Sequence, residues 1–211
     1  MEDGRKDHMV SGKIRLKFHK IGKLKFISHL DLCRTMVTAM IRAKIPMWYT
    51  EGFNPHPKMV FTQPLPLFAE SECEYLDIKI VEPMTHAEIC ERMRKAFTDE
   101  LYTEQVYTPT EKFTEIAYAR YRIRLGSFQR ELLFGEGELI ATKTAKDGKE
   151  KRIDIRGMIK EVGEADGAVY ATLNASNDSY LNPEVFCKAI GAEDYFITRI
   201  GWLKADGTAF V

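Results

Sequence analysis

Two histidines and a run of cations are the side chains of this sequence best suited to chemistry. His56 stands in Asn54-Pro55-His56-Pro57-Lys58, between prolines that set φ near about −65° and push Asn54 and His56 out of helical geometry. Such a loop offers an amide, an imidazole and an ammonium with little entropy left to lose on binding. An imidazole titrates near neutrality, so the loop suits substrate recognition or acid–base work. A rigid turn entering a strand would use the prolines equally, but has no need of a titratable ring between them. His29 stands in Ser28-His29-Leu30-Asp31. Residues two apart diverge by roughly 200° on a helix, so His29 and Asp31 do not chelate one ion. Ser28 reads as a helix N-cap with Asp31 three residues on. His29 then projects on the Cys33/Met36 side, where it can approach His56. His29 and His56 are the candidates for catalysis, with Asn54, His56, Lys58 and Tyr75 as a recognition surface. No metal is expected on them.

The cations begin at Lys13. Lys13, Arg15, Lys17, Lys20, Lys23 and Lys25 fall in thirteen residues without an acid. Ile14, Leu16 and Phe18 alternate with the first three, a half-buried strand with Lys13, Arg15, Lys17 and His19 on the face away from the core. Like charges at this spacing repel, which makes sense if an anion lies across them. Two other readings stand beside this: a solvated face, or one neutralised by the acids Glu70, Glu72, Glu74 and Asp77. Arg120, Arg122 and Arg124 repeat the pattern and favour a polyanion. Lys13, Arg15, Lys17, Lys23, Lys25, Arg120, Arg122 and Arg124 are therefore the expected phosphate contacts. Tyr75 is expected on the exposed face beside the stripe, able to stack on a base. Asp154, Arg156 and Arg199 read as an internal ion pair.

The elements that must position these groups follow from periodicity. The strand at Lys13–His19, a turn around Gly22, a helix from Ser28 to before Pro46, strands at Met59–Thr62 and Tyr75–Ile80, a helix from Thr85 to Phe97 and a strand at Leu101–Tyr107 run β-α-β-β-α-β, the ferredoxin-like pattern. The second half repeats the theme. Strands are expected at Ile116–Leu125, Leu139–Thr144, Lys151–Ile155, Ala168–Leu173 and Tyr195–Leu203, with helices at Phe128–Phe134, Met158–Val162 and Pro183–Ile190 and a hairpin turn at Asp147-Gly148. The fold class expected is α+β, two ferredoxin-like units with the second atypical: a tail over 1–12, one unit over 13–110 and another over 111–211.

Composition agrees with a folded chain. The 211 residues are 45% hydrophobic and 29% charged, enough apolar matter for a core. The net charge of zero is a sum of patches: residues 1–60 hold 12 Lys or Arg against 5 Asp or Glu, and residues 61–111 hold 4 against 11. No apolar run approaches the roughly 20 residues of a membrane helix and the first ten carry no signal stretch, so a cytoplasmic protein without membrane contact is expected. Cys33, Cys73, Cys90 and Cys187 are too far apart for a zinc knuckle and read as reduced core thiols.

Several blocks also resemble a known family. Phe26-Ile27-Ser28-His29-Leu30-Asp31-Leu32, Glu51-Gly52-Phe53-Asn54-Pro55-His56-Pro57-Lys58, Pro64–Pro66 with Ala69-Glu70-Ser71-Glu72, and Glu74-Tyr75-Leu76-Asp77 are similar to the bacterial radical-SAM-linked domain of unknown function. Ile153-Asp154-Ile155-Arg156, Asn182-Pro183-Glu184 and Thr198-Arg199 extend the likeness to roughly residues 13–203. That domain forms the C-terminal part of radical SAM proteins with a cobalamin-binding-type domain, or stands as a separate gene beside one. The wholly basic first strand departs from the mixed charges the family often carries there. The resemblance implies an accessory role beside a radical SAM protein encoded nearby, and gene neighbours of ribosomal and ribonuclease type point to RNA. The chain has no CxxxCxxC, so the iron–sulfur cluster of that chemistry would belong to the partner, and no cofactor is expected here. The leading expectation is an auxiliary RNA-binding module that presents substrate in RNA modification or maturation. The alternatives are an RNA-processing enzyme acting through His29 and His56, and a protein-interaction scaffold using Glu70–Asp77.

Overall fold

The computed structural model describes residues 9–144 and 150–211, and within them the chain is mixed α+β. It divides into two compact units, Met1–Thr110 and Glu111–Val211.

In the first unit the elements are β1 (Val10–Lys20), α1 (His29–Arg42), β2 (Met59–Phe61), β3 (Glu70–Met84), α2 (His86–Ala96) and β4 (Thr103–Tyr107). The strands are antiparallel and lie in the order β4-β1-β3-β2. The β-α-β-β-α-β succession is the one the alternation predicts. Alternation also sorts the faces. Ile14, Leu16 and Phe18 of β1 are fully buried with Leu76, Ile78 and Ile80 of β3, and α1 and α2 cover them with Met36, Met40, Ile89 and Met93. Both helices start on side-chain caps. The Ser28 hydroxyl accepts from the Asp31 N–H and the Thr85 hydroxyl from the Glu88 N–H, each at 3.1 Å, satisfying donors that a helix start leaves orphaned.

The second unit holds β5 (Ile116–Leu125), α3 (Arg130–Phe134), β6 (Ile140–Thr144), β7 (Glu150–Asp154), β8 (Ile159–Ala165), β9 (Ala168–Asn174), α4 (Pro183–Ala189) and β10 (Tyr195–Lys204). Its main sheet runs β10-β5-β9-β8, the same relative order as in the first unit, with β6 and β7 added as a separate two-stranded ladder. The turn expected at Asp147-Gly148 lies outside the described residues. One helix expectation is corrected. Residues 159–162 belong to β8, preceded only by a single 3₁₀ turn over Arg156–Met158. Asp166 and Gly167 both take positive φ, +50° and +71°, as a two-residue hairpin turn requires, and this turn folds β8 onto β9. No helix among the described residues is long and apolar enough to cross a membrane.

Candidate nucleic-acid interface

The proline-bound loop closes on itself. The Thr50 N–H donates to the His56 carbonyl at 2.9 Å and the His56 N–H to the Thr50 hydroxyl at 3.2 Å. The His56 Nδ1 lies 3.1 Å from the Asn54 carbonyl oxygen and 3.2 Å from the Thr50 hydroxyl. Nδ1 thus faces one group that only accepts and one hydroxyl that can accept or donate. The loop therefore fixes the position of the ring. His29, at the first turn of α1, stands edge-on to Phe61 with centroids 5.1 Å apart and has its Nε2 3.6 Å from the Cys33 Sγ. Burial pushes the His29 pKa below the usual histidine value, with Lys20 adding to it and Glu74 opposing, so the ring is neutral near pH 7.

The fold brings the two histidines together. A groove of about 460 Å³ along β2 is lined by His29, Cys33, His56, Lys58, Phe61 and Pro64, among others. Asn54 is exposed in the same loop. No group of three or more His, Cys, Asp or Glu side chains able to hold a metal ion occurs among the described residues.

A second groove, of about 320 Å³, shares Lys58 and Val60 with the first and adds Lys13, Asp77 and Lys79. Strand register explains it. Val60 lies opposite Asp77, Asp77 opposite Arg15 and Lys79 opposite Lys13, all on the sheet face turned away from the helices. Lys58 arrives from the proline loop. Two lysines directly opposite across antiparallel strands repel; Lys79 stands over the Trp48 ring at 5.3 Å and Lys13 turns to Asp77. Asp77 is itself engaged: it accepts two bonds from Arg15, Nε at 2.7 Å and Nη2 at 3.0 Å, and pairs with the Lys13 ammonium at 2.7 Å. The groove is thus lined by three lysines beside a carboxylate that a buried arginine already occupies.

The structure corrects two of the expected contacts. Arg15 is 0% exposed, and its fork binds Asp77. Burial alone would lower its pKa, and the hydrogen bond and charge of Asp77, with Tyr107, more than offset that, so it is raised. A guanidinium so placed has no surface to give a phosphate. Tyr75 does share the stripe's face, opposite Lys17, but is 3% exposed, with Arg15 over its ring at 5.8 Å. It offers no platform to a base. Lys17 and His19 both meet Glu104, at 2.8 and 3.3 Å. The neutralised reading of the stripe is therefore the one realised at its centre, by Asp77 and by a β4 glutamate outside the acidic run.

The remaining expected contacts lie elsewhere. Lys23 and Lys25 sit in the 3₁₀ turn Gly22–Phe26, Lys25 over the Phe26 ring at 5.3 Å. Arg120, Arg122 and Arg124 lie on β5 in the second unit, opposite in facing to the buried Ala119, Tyr121 and Ile123. Arg124 covers Phe196 at 5.4 Å and Lys160 covers Tyr118 at 4.2 Å. Asp154 and Arg156, expected with Arg199 in an internal ion pair, both bind backbone groups. Asp154 accepts N–H bonds from Leu139 and Arg156, which hold its carboxyl below the usual range. The Arg156 guanidinium donates to the carbonyls of Leu132, Leu133 and Gly137. Arg199 is buried between Tyr121 and Trp202.

Two residues of this region escape a reading of the sequence. Lys79 belongs to the groove only through the β1–β3 register, although its alternation with Asp77 was a usable signal. Phe53 stands fully exposed beside the proline loop, marked in sequence only as an aromatic next to Gly52. No curated protein matches the chain. A family model described as an uncharacterized protein conserved in bacteria, DUF2344, matches residues 13–183, most of the length and both histidine blocks. The chain belongs to that bacterial family.

Proposed function

We propose that the chain is an auxiliary RNA-binding module that presents substrate to a radical SAM enzyme encoded nearby, in RNA modification or maturation. The observation that carries RNA binding is the groove of Lys13, Lys58 and Lys79 around a carboxylate already committed to Arg15. Lys58 and Lys79 are exposed there, and cations gathered along one groove attract a phosphate backbone. Next to it the His56 loop presents preorganised polar groups and Phe53 a bare ring on which a base can stack. Lys13, Lys58 and Lys79 take backbone phosphates, and His29, Asn54 and His56 shape the recognition pocket. Arg120, Arg122 and Arg124 supply further positive surface on the second unit. The partner enzyme rests on the likeness of the FISHLD and GFNPHPK blocks to the radical-SAM-linked domain.

Anisotropy titrations of a fluorescent single-stranded RNA at several salt concentrations test this. Each phosphate contact adds about 0.7 to the slope of log affinity against log salt for a single strand. Lys58→Ala with Lys79→Ala is expected to lower that slope by about 1.4. Affinity that stays flat from low to high salt in the wild type would remove the proposal.

A second reading has its own observation: two imidazoles share one groove, His29 with its pKa lowered by burial and His56 held in place by its loop. That is the equipment of general acid–base cleavage of RNA. Under this reading His56→Ala abolishes cleavage of a labelled RNA and leaves its affinity nearly intact. Under the module reading neither protein cleaves.

A further inference from the structure

On the helical side of the first unit a long open trough runs between α1 and α2. It consists of two grooves, about 390 and 550 Å³, that share Arg42 and Ala96. Its floor is apolar: Leu24, Ala96 and Phe97 are partly covered and packed on the core, with Ala39 and Leu101 beneath them. Thr35 and Thr38 form part of one wall, and their hydroxyls already donate to the Asp31 and Arg34 carbonyls at 2.8 and 2.9 Å. These side chains present methyl groups to the trough with their polar demand met within the helix.

The rim is cationic. Arg34, Arg42, Lys44, Arg92 and Lys95 line the trough, and no carboxylate lines it among the described residues. Three of the five are partly compensated by neighbours on their own helices: Arg34 by Asp31, Arg92 by Glu88 and Lys95 by Glu91. Arg42 and Lys44 are exposed and make no ion pair among the described residues. The rim stays rigid as well. Arg92 donates to the Ala43 and Lys44 carbonyls at 3.4 and 3.2 Å, tying α2 to the end of α1.

We infer that this trough docks an acidic amphipathic helix of a partner protein. Two helices flanking an apolar floor form the seat that helix-in-groove recognition uses, with apolar anchors at i, i+3, i+4 and i+7. A positive rim steers a partner whose flanks are Asp and Glu and rejects one whose flanks are Lys and Arg. The floor is aliphatic apart from Phe97, so it lacks the flat ring platforms that single-stranded nucleic acid takes. The trough opens on the face of the unit opposite Lys13 and Lys79, and the inference is independent of RNA binding there.

The test uses the full chain, labelled with ¹⁵N, and a synthetic 18-residue helical peptide with Leu on one face and Glu on the other. The amides of Arg42, Lys44, Lys95 and Phe97 are expected to shift. Arg42→Glu with Lys95→Glu, both at exposed positions, is expected to weaken the peptide at least about tenfold with the circular dichroism spectrum unchanged. No shifts in the trough, equal binding of a peptide with Lys in place of Glu, or shifts of these same amides by an RNA oligonucleotide would each overturn the inference.

Discussion

Asp77→Asn separates the structural and the binding roles of the basic strand. The substitution keeps the shape of the side chain and removes its charge. Arg15 is fully buried and Asp77 is 3% exposed, so the variant leaves a guanidinium without its carboxylate in a place with little water. Breaking a buried pair from one side costs about 3–5 kcal/mol, a large share of a total near 5–15. With a urea dependence of about 2 kcal/mol per molar, the unfolding midpoint falls by roughly 1.5–2.5 M. Arg15→Met with Asp77→Leu removes both charges and restores most of the loss, since replacing a whole buried pair by apolar groups is often neutral. RNA affinity should move the other way. Asp77→Asn frees Lys13 from its 2.7 Å partner and takes the carboxylate out of the groove, so salt-dependent binding strengthens. The measurements are urea denaturation followed by circular dichroism and the anisotropy titration. A stability loss below about 1 kcal/mol would refute the reasoning, because Arg15 would then not depend on Asp77.

Three other outcomes are expected. His29 has a lowered folded pKa, so the unfolded chain binds more protons below the ordinary value of 6.5. Stability is therefore full above about that pH and declines as pH falls through it. Proton NMR of the ring should give a midpoint below 6.5, and His29→Gln should flatten the pH dependence of the urea midpoint. Arg156→Ala removes three charge-assisted bonds to carbonyls and should cost roughly 2 kcal/mol. Arg156→Lys should not rescue it, because an ammonium cannot span three carbonyls as a fork does. Under native conditions Cys33 and Cys90 should react with iodoacetamide before Cys73 and Cys187, which are buried. Cys187 should be last, with its thiol pushed up to about 12 by burial. Mass spectrometry of the labelled peptides checks the order.

Much of the fold can be read along the chain. Alternation at Ile14, Leu16 and Phe18, the caps at Ser28 and Thr85, and the Pro183 helix start are local signals, and each element stands where its signal predicts. The β8 strand was hidden because its partner lies across Asp166-Gly167, and pairing there overrides the weak helical spacing of residues 158–162. The stiffness of the His56 loop was also legible, since proline restricts φ whatever surrounds it. The partners of β1 were not. Arg15 pairs with a residue 62 positions away, and Lys17 and His19 with Glu104 on β4.

Residue types and their short-range periods specify which side chains share a face, where helices begin and which loop is rigid. Those properties depend on sterics and hydrogen bonds within a few residues. Whether a cation is free or neutralised depends instead on strand register between segments far apart in sequence, and on how much water reaches the site. Folding alone turned one continuous basic stripe into a buried ion pair at Arg15 and Asp77, a surface pair at Lys17 and Glu104, and an open groove where Lys13 faces Lys79 beside Lys58.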